Sequence, residues 1–176
     1  MGTVGSFPPE KLIVGLLFCD QGLAGIVEKK LESLFGRIDC RSSIYRFSDI
    51  STYYDAEMGG KVNKCFFSFE ACVDPSRLVE IKLLTNDMEK EYSRQGLRNI
   101  NLDPGLMSHG RLTLATTKNA PHRLPLYSGI YAEITLFFAR KDWQSLPWTY
   151  TDFRTDVTKS FLREVRTIYL KQRQSK

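Results

Sequence analysis

Residues able to do chemistry concentrate between Asn101 and Arg154 of this 176-residue chain. Asn101 and Asp103, in Asn-Leu-Asp-Pro-Gly, alternate and so share one strand face, where an amide and a carboxylate could meet a ligand or metal. Asp before Pro-Gly is equally a turn starter. Lys118, His122 and Arg123 fall in a loop with Pro121 and Pro125 and could hold an anion, although a solvated charged loop has the same composition. His122 is the better placed of the two histidines for proton transfer near neutral pH. Tyr131, Glu133 and Thr135 project from one face of a strand, and Ile130, Ala132, Ile134, Leu136 and Phe138 from the other. Glu133 is therefore either a solvent-facing carboxylate or a general base or metal ligand. Trp148, Tyr150, Asp152 and Arg154 alternate beyond Pro147. Such rings could stack a base or sugar beside a cation, or seal the last helix against the sheet. The candidate catalytic residues are Asp103, His122 and Glu133. The candidate ligand-binding residues are Asn101, Lys118, Arg123, Tyr131, Trp148, Tyr150 and Arg154. No metal or cofactor is specified.

Better-defined motifs are missing. Gly59-Gly60-Lys61-Val62 lacks the upstream glycine and the Mg²⁺-binding hydroxyl of a P-loop, and it precedes a strand rather than a helix. Gly129-Ile130-Tyr131 has no partner Tyr-Ile-Gly strand to make a GIY-type nuclease. His109-Gly-Arg-Leu-Thr113 has the wrong spacing for a 2H phosphoesterase, and His122 is followed by Arg-Leu-Pro. Four cysteines, none in a Cys-x-x-Cys pair, with two histidines, do not suggest zinc. Reduced thiols are expected.

The elements that must position these residues follow from periodicity. Residues 11–19 form a continuous apolar run, which predicts a central strand covered on both faces. Asp20 can cap the helix after it, whose apolar residues are Leu23, Ile26, Val27, Leu31 and Leu34, and Gly36 can stop it. Strands are predicted over 43–47 and 64–73. Asp74-Pro75 starts a second helix with stripe Leu78, Ile81 and Leu84, and a fourth strand spans 97–102. This order predicts an α+β fold with a ferredoxin-like βαββαβ core. Two further strands, 111–117 and 130–138, extend it. A C-terminal helix from Asp156 carries the stripe Phe161, Leu162, Val165, Ile168 and Tyr169. Residues 1–10 read as a flexible lead-in and 11–176 as a single domain.

Composition is that of a globular protein, with 42% hydrophobic and 26% charged residues. No apolar run is long enough to span a bilayer, and residues 1–10 do not resemble a secretory signal. No membrane association and a cytoplasmic location are expected. Residues 154–176 carry seven Lys/Arg against two Asp/Glu, which accounts for the whole net charge of +5. A basic helix attracts phosphate backbones, and it is as often simply a solvated face.

Asn-Leu-Asp-Pro-Gly, Ala115-Thr-Thr-Lys118, His122-Arg123, Gly129-Ile-Tyr-Ala-Glu133 and Pro147-Trp-Thr-Tyr150 occur in this order. Together with Lys11-Leu-Ile-Val-Gly15, Thr52-Tyr-Tyr54, Glu57-Met-Gly59, Ser68-Phe-Glu70, Asp74-Pro75 and Ile81-Lys-Leu-Leu-Thr-Asn86, they resemble a bacterial domain-of-unknown-function family, number 4416. The resemblance covers nearly the whole chain after residue 10. It implies a stand-alone bacterial protein, in a family sometimes loosely labelled GTP-binding, and no activity. The family usually has an aromatic after Asn-Leu-Asp-Pro-Gly, where this chain has Leu106.

Three functions fit these observations. Asp103, Lys118, His122 and Glu133 could meet in one pocket for an anionic small molecule, such as a nucleotide or phosphorylated metabolite, with Tyr150 and Arg154 at its rim. Alternatively, Lys159, Arg163, Arg166 and Arg173 of the last helix could bind RNA. The third is a protein-interaction adaptor without chemistry. Enzyme and binder are not separated by these residues.

Overall fold

The apolar run at the start of the chain folds as β1 (Glu10–Phe18), buried along its whole length. The Asp20 side chain accepts the Gly22 and Leu23 N–H groups and starts α1 (Gln21–Phe35), which Gly36 ends at φ +89°. The chain continues through β2 (Ile38–Arg41), β3 (Tyr45–Arg46) and β4 (Asn63–Val73). Asp74 then caps a short 3₁₀ turn that leads into α2 (Leu78–Glu91). There follow β5 (Ile100–Met107), β6 (Arg111–Thr116), β7 (Leu124–Pro125), β8 (Tyr131–Ala139), β9 (Asp142–Ser145) and α3 (Asp156–Gln174). This computed structural model describes residues 2–174. Met1 of the expected lead-in and residues 175–176 of the expected domain lie outside them.

Among the described residues nine strands form one sheet, in the order β2-β4-β1-β5-β6-β8-β7, with β3 on β4 and β9 on β8. Every pairing is antiparallel. The protein is α+β, and the order β2-β4-β1-β5 fits a ferredoxin-like core. Side-chain alternation then sorts the two faces. Leu12, Val14, Leu16 and Phe18 of β1 pack with Val27 and Leu31 of α1 and Val79 and Ile81 of α2. Ile13 belongs to the opposite core, with Phe161, Leu162 and Val165 of α3. Burying each such side chain contributes about 1.5–3 kcal/mol before entropy is counted.

Four local expectations are corrected. Of the strand predicted over 43–47 only Tyr45–Arg46 (β3) is a strand, Phe47–Asp49 form a 3₁₀ turn, and β2 lies ahead of the predicted range at Ile38–Arg41. The fourth strand is displaced toward the C-terminus, so Pro104-Gly105 sits inside β5 and makes no turn. A Cβ on Gly105 would lie 2.6 Å from Leu114 Cδ2 and 2.7 Å from the Thr113 carbonyl oxygen, so the close approach of β6 requires glycine. In β8, pairing slips between Leu136, opposite Leu112, and Ile134, opposite Thr113. The bulge at Thr135 reverses the alternation. Ala132 therefore joins the α1/α2 core and Leu136 the α3 core, while Ile134 is exposed. Finally, β9 forms an unforeseen hairpin with β8, turned by Arg140 and Lys141 at φ +53° and +65°.

Candidate functional site

The site begins with a gap in the sheet. β5 and β6 are in register only over Gly105–Met107 and Leu112–Leu114. From Ile100 to Pro104, β5 keeps β1 on one side and has no β6 partner on the other. Groups from α2 take the place of the missing strand. The Leu102 N–H donates to Glu89 Oε1 at 2.7 Å, and its carbonyl accepts Lys82 Nζ at 2.9 Å. Pro104, two residues on and facing the same way, has no N–H to leave unsatisfied. A cavity of about 650 Å³ fills the gap, with Asn101 and Asp103 of β5, Ala115 and Thr116 of β6, and Lys82 and Glu89 of α2 in its walls.

Its floor is a buried charge cluster on the α3 side. Lys64 Nζ lies 2.8 Å from Asp152 Oδ2 and 3.2 Å from Asp103 Oδ2. The rings of Phe47, Phe66 and Phe153 surround the ammonium with centroids 5.0 to 5.6 Å away. Lys64 crosses β1 at Gly15, where a Cβ would come within 3.1 Å of its Cε and 3.0 Å of the Phe66 ring. Burial disfavours the Lys64 charge, but Asp152 and Asp103 outweigh it and raise its pKa. Burial likewise pushes the Asp103 carboxyl up. Lys64, Lys82 and the hydrogen bond from Asn101 more than reverse this and hold it below the usual carboxylate range. Asn101 Nδ2 donates to Asp103 Oδ1 at 2.9 Å, and Asn101 Oδ1 accepts from Arg98. Arg98 also reaches Glu57 at 3.2 Å and Glu89 at 3.8 Å.

The opposite wall is tied together by Glu133. Its buried carboxylate accepts Arg123 Nε at 2.8 Å and Thr135 Oγ1 at 3.1 Å, and lies 3.3 Å from His122 Nε2. Arg123 also donates to the Tyr150 hydroxyl at 2.6 Å and the Lys118 carbonyl at 2.7 Å. Burial, with Glu133 close by, pushes the Tyr150 phenol up. Lys118 Nζ donates to the Tyr53 hydroxyl at 3.2 Å and sits 4.8 Å from that ring's centroid.

Of the residues singled out in the sequence, Asn101, Asp103, Lys118, Glu133 and Tyr150 line the cavity. His122 and Arg123 stand behind them, joined through Glu133. Trp148 stacks on His122, with centroids 5.1 Å apart and planes at 11°, and its indole N–H is bonded to the Ile134 carbonyl. Tyr131 is half-buried at the start of β8, outside the cavity lining. Arg154 donates to the carbonyls of Leu146, Pro147 and Thr149 and so clamps a turn. Of the basic residues of α3, Arg163 pairs with Asp142 at 2.9 Å. Arg166 lies 3.6 Å over the Phe138 ring and donates to the His109 carbonyl. Arg173 lies 5.9 Å from the Tyr169 ring, and Lys159 is half-buried.

Sequence reasoning missed Lys64, Lys82, Glu89 and Gly15. The only signal was a lysine beside an apolar stretch, in Lys64-Cys-Phe-Phe and in Ile81-Lys82-Leu-Leu. Lys82 is 7% exposed, and among the described residues its ammonium forms no salt bridge. Among the same residues, no group of three or more His, Cys, Asp or Glu side chains could hold a metal ion, and no helix is long and apolar enough to cross a membrane.

No curated protein and no solved structure matches the chain. A family model described as a domain of unknown function, DUF4416, matches residues 8–169, and the chain belongs to that family.

Proposed function

We propose that the cleft between β5 and β6 binds an anionic small molecule, of the size of a nucleotide or phosphorylated metabolite. One observation carries this. Lys82 is a buried ammonium in the cavity wall with a backbone carbonyl as its hydrogen-bond partner. An ammonium has three donors, and the Leu102 carbonyl takes one of them, while the carboxylates of Asp103 and Glu89 act on its charge without forming an ion pair with it. An anion in the cleft would engage the remaining donors directly. Lys118 adds a second cation whose partner, the Tyr53 hydroxyl, is neutral. Phe47, Tyr53 and Tyr54 supply ring faces for the rest of the ligand. A volume of about 650 Å³ suits such a molecule. An RNA-binding α3 has less in its favour, since Arg163 and Arg166 are already engaged within the protein. A cytoplasmic setting goes with the small-molecule proposal.

The test is thermal unfolding against nucleotides and phosphorylated metabolites, with and without Mg²⁺. A ligand at 100 times its Kd adds about 2.7 kcal/mol. For a domain of this size that raises Tm by roughly 5–11 °C. Lys82→Met should remove the shift while leaving the unliganded protein folded. No shift with any ligand, or an undiminished shift in the Lys82 variant, would overturn the proposal. Turnover of a ligand that binds, lost in Asp103→Asn, would make the protein an enzyme.

A further inference from the structure

Resting on that anion site, we infer that the ligand is bipolar, with an acidic group for Lys82 and, a short tether away, a protonated nitrogen or N–H group for Asp103. Both protein groups line the same cavity. Lys82 is anchored on the Leu102 carbonyl, and Asp103 is the next residue of the same strand. Consecutive Cα atoms are about 3.8 Å apart. The Asp103 carboxylate is not used up by the protein. Oδ1 accepts from Asn101 and Oδ2 from Lys64, whereas a carboxylate offers about four acceptor positions.

Exposure distinguishes Asp103 from its partner in the cluster. Its side chain is 31% exposed, against 5% for Asp152, although both share Lys64. Both line the cavity, and of the two Asp103 is the carboxylate more open to whatever enters. An anion with no donor would satisfy Lys82 but set like charge against Asp103 and cut that carboxylate off from water. A cation alone would do the reverse to Lys82. A ligand carrying both groups satisfies both residues at once. Its preference over either half comes from satisfying both charges together.

The experiment titrates isotope-labelled protein with 2-aminoethyl phosphate, ethyl phosphate and ethanolamine, following backbone amide shifts. The amino phosphate should bind at least about tenfold more tightly than ethyl phosphate, the ratio expected from one charge-assisted hydrogen bond. It should move the amides of residues 101–103, and Asp103→Asn should bring the ratio toward one. Equal affinity for the two phosphates would overturn the bipolar ligand and leave the anion site standing. Binding of neither phosphate, or ethanolamine matching the amino phosphate, would overturn the anion site itself. If Asp103→Asn does not fold, the ratio in the unmodified protein decides alone.

Discussion

Replacing Lys64 by methionine keeps most of the side chain's volume and removes the ammonium that Asp103 and Asp152 share at 3.2 and 2.8 Å. Taking one partner from a buried ionic cluster costs about 3–5 kcal/mol, because the remaining charge is left without compensation. Asp152, with a side chain 5% exposed, bears that cost in full, whereas Asp103, at 31%, can recruit water. The lower half of the range is therefore expected. At about 2–4 °C per kcal/mol, the full range corresponds to a Tm lowered by roughly 6–20 °C. The pH dependence gives a sharper test. The folded Asp103 carboxyl is held below its ordinary value, so it contributes stability above about pH 4 that is lost as pH falls through the folded value. Lys64→Met removes one of the charges that hold it down. The deficit should thus be largest at neutral pH and narrow on acidification below about pH 4. Adding Asp152→Asn to Lys64→Met should recover part of the loss. Circular dichroism melts from pH 3 to 7 would measure all of this. A neutral-pH loss under about 1 kcal/mol, or a deficit independent of pH, would refute the assignment of Lys64 as the shared counter-ion.

Further outcomes are expected elsewhere. Gly105→Ala puts a methyl 2.6 Å from Leu114 Cδ2 and 2.7 Å from a backbone oxygen, and should destabilise by about 3 kcal/mol in urea unfolding. Burial raises the Glu89 carboxyl against Lys82, the Leu102 N–H and Arg98. Its folded form thus holds a proton more tightly than the unfolded chain, and stability rises as pH falls through the folded value, levelling off below about 4.3. Glu89→Gln, which retains an oxygen for the Leu102 N–H, should flatten that rise in urea midpoints taken between pH 4 and 7. Burial pushes the Cys40 and Cys65 thiols up to about 12, so native alkylation followed by mass spectrometry should leave both unmodified at neutral pH.

The elements that sequence discloses are those whose determinants are local. β1 is a plain apolar run, α1 has Asp20 and Gly36 at its ends, and α3 buries Phe161, Leu162, Val165 and Tyr169 at helical spacing. Pro104-Gly105 misleads because its local preference is a turn, whereas its real determinant is the approach of Leu114 and Thr113 from another strand. Arg140-Lys141 carries no glycine or asparagine to announce the β8–β9 turn. The site divides similarly. Asp103, Lys118, Glu133 and Tyr150 stood out as polar residues in a polar stretch, and all four reach the cavity. Lys64 and Lys82 did not, because a lysine is ordinarily solvated and each owes its burial to a distant group. Asp152 is 88 residues from Lys64, and Leu102 is 20 residues from Lys82.

That separation of 88 residues bears on how the chain is made. During synthesis the amino-terminal part emerges first, and β1 to β5 can pair before residue 151 exists. At that stage Lys64 has only Asp103 for a counter-ion, and Phe66 and Ile13 look onto a face with no helix over them. The 3₁₀ turn Thr151–Arg154 and the helix directly after it deliver Asp152 and the apolar cover together. A nascent chain that stalls before this turn would thus present both an under-compensated cation and an uncovered sheet. Such a chain would be a substrate for chaperones rather than a small stable core.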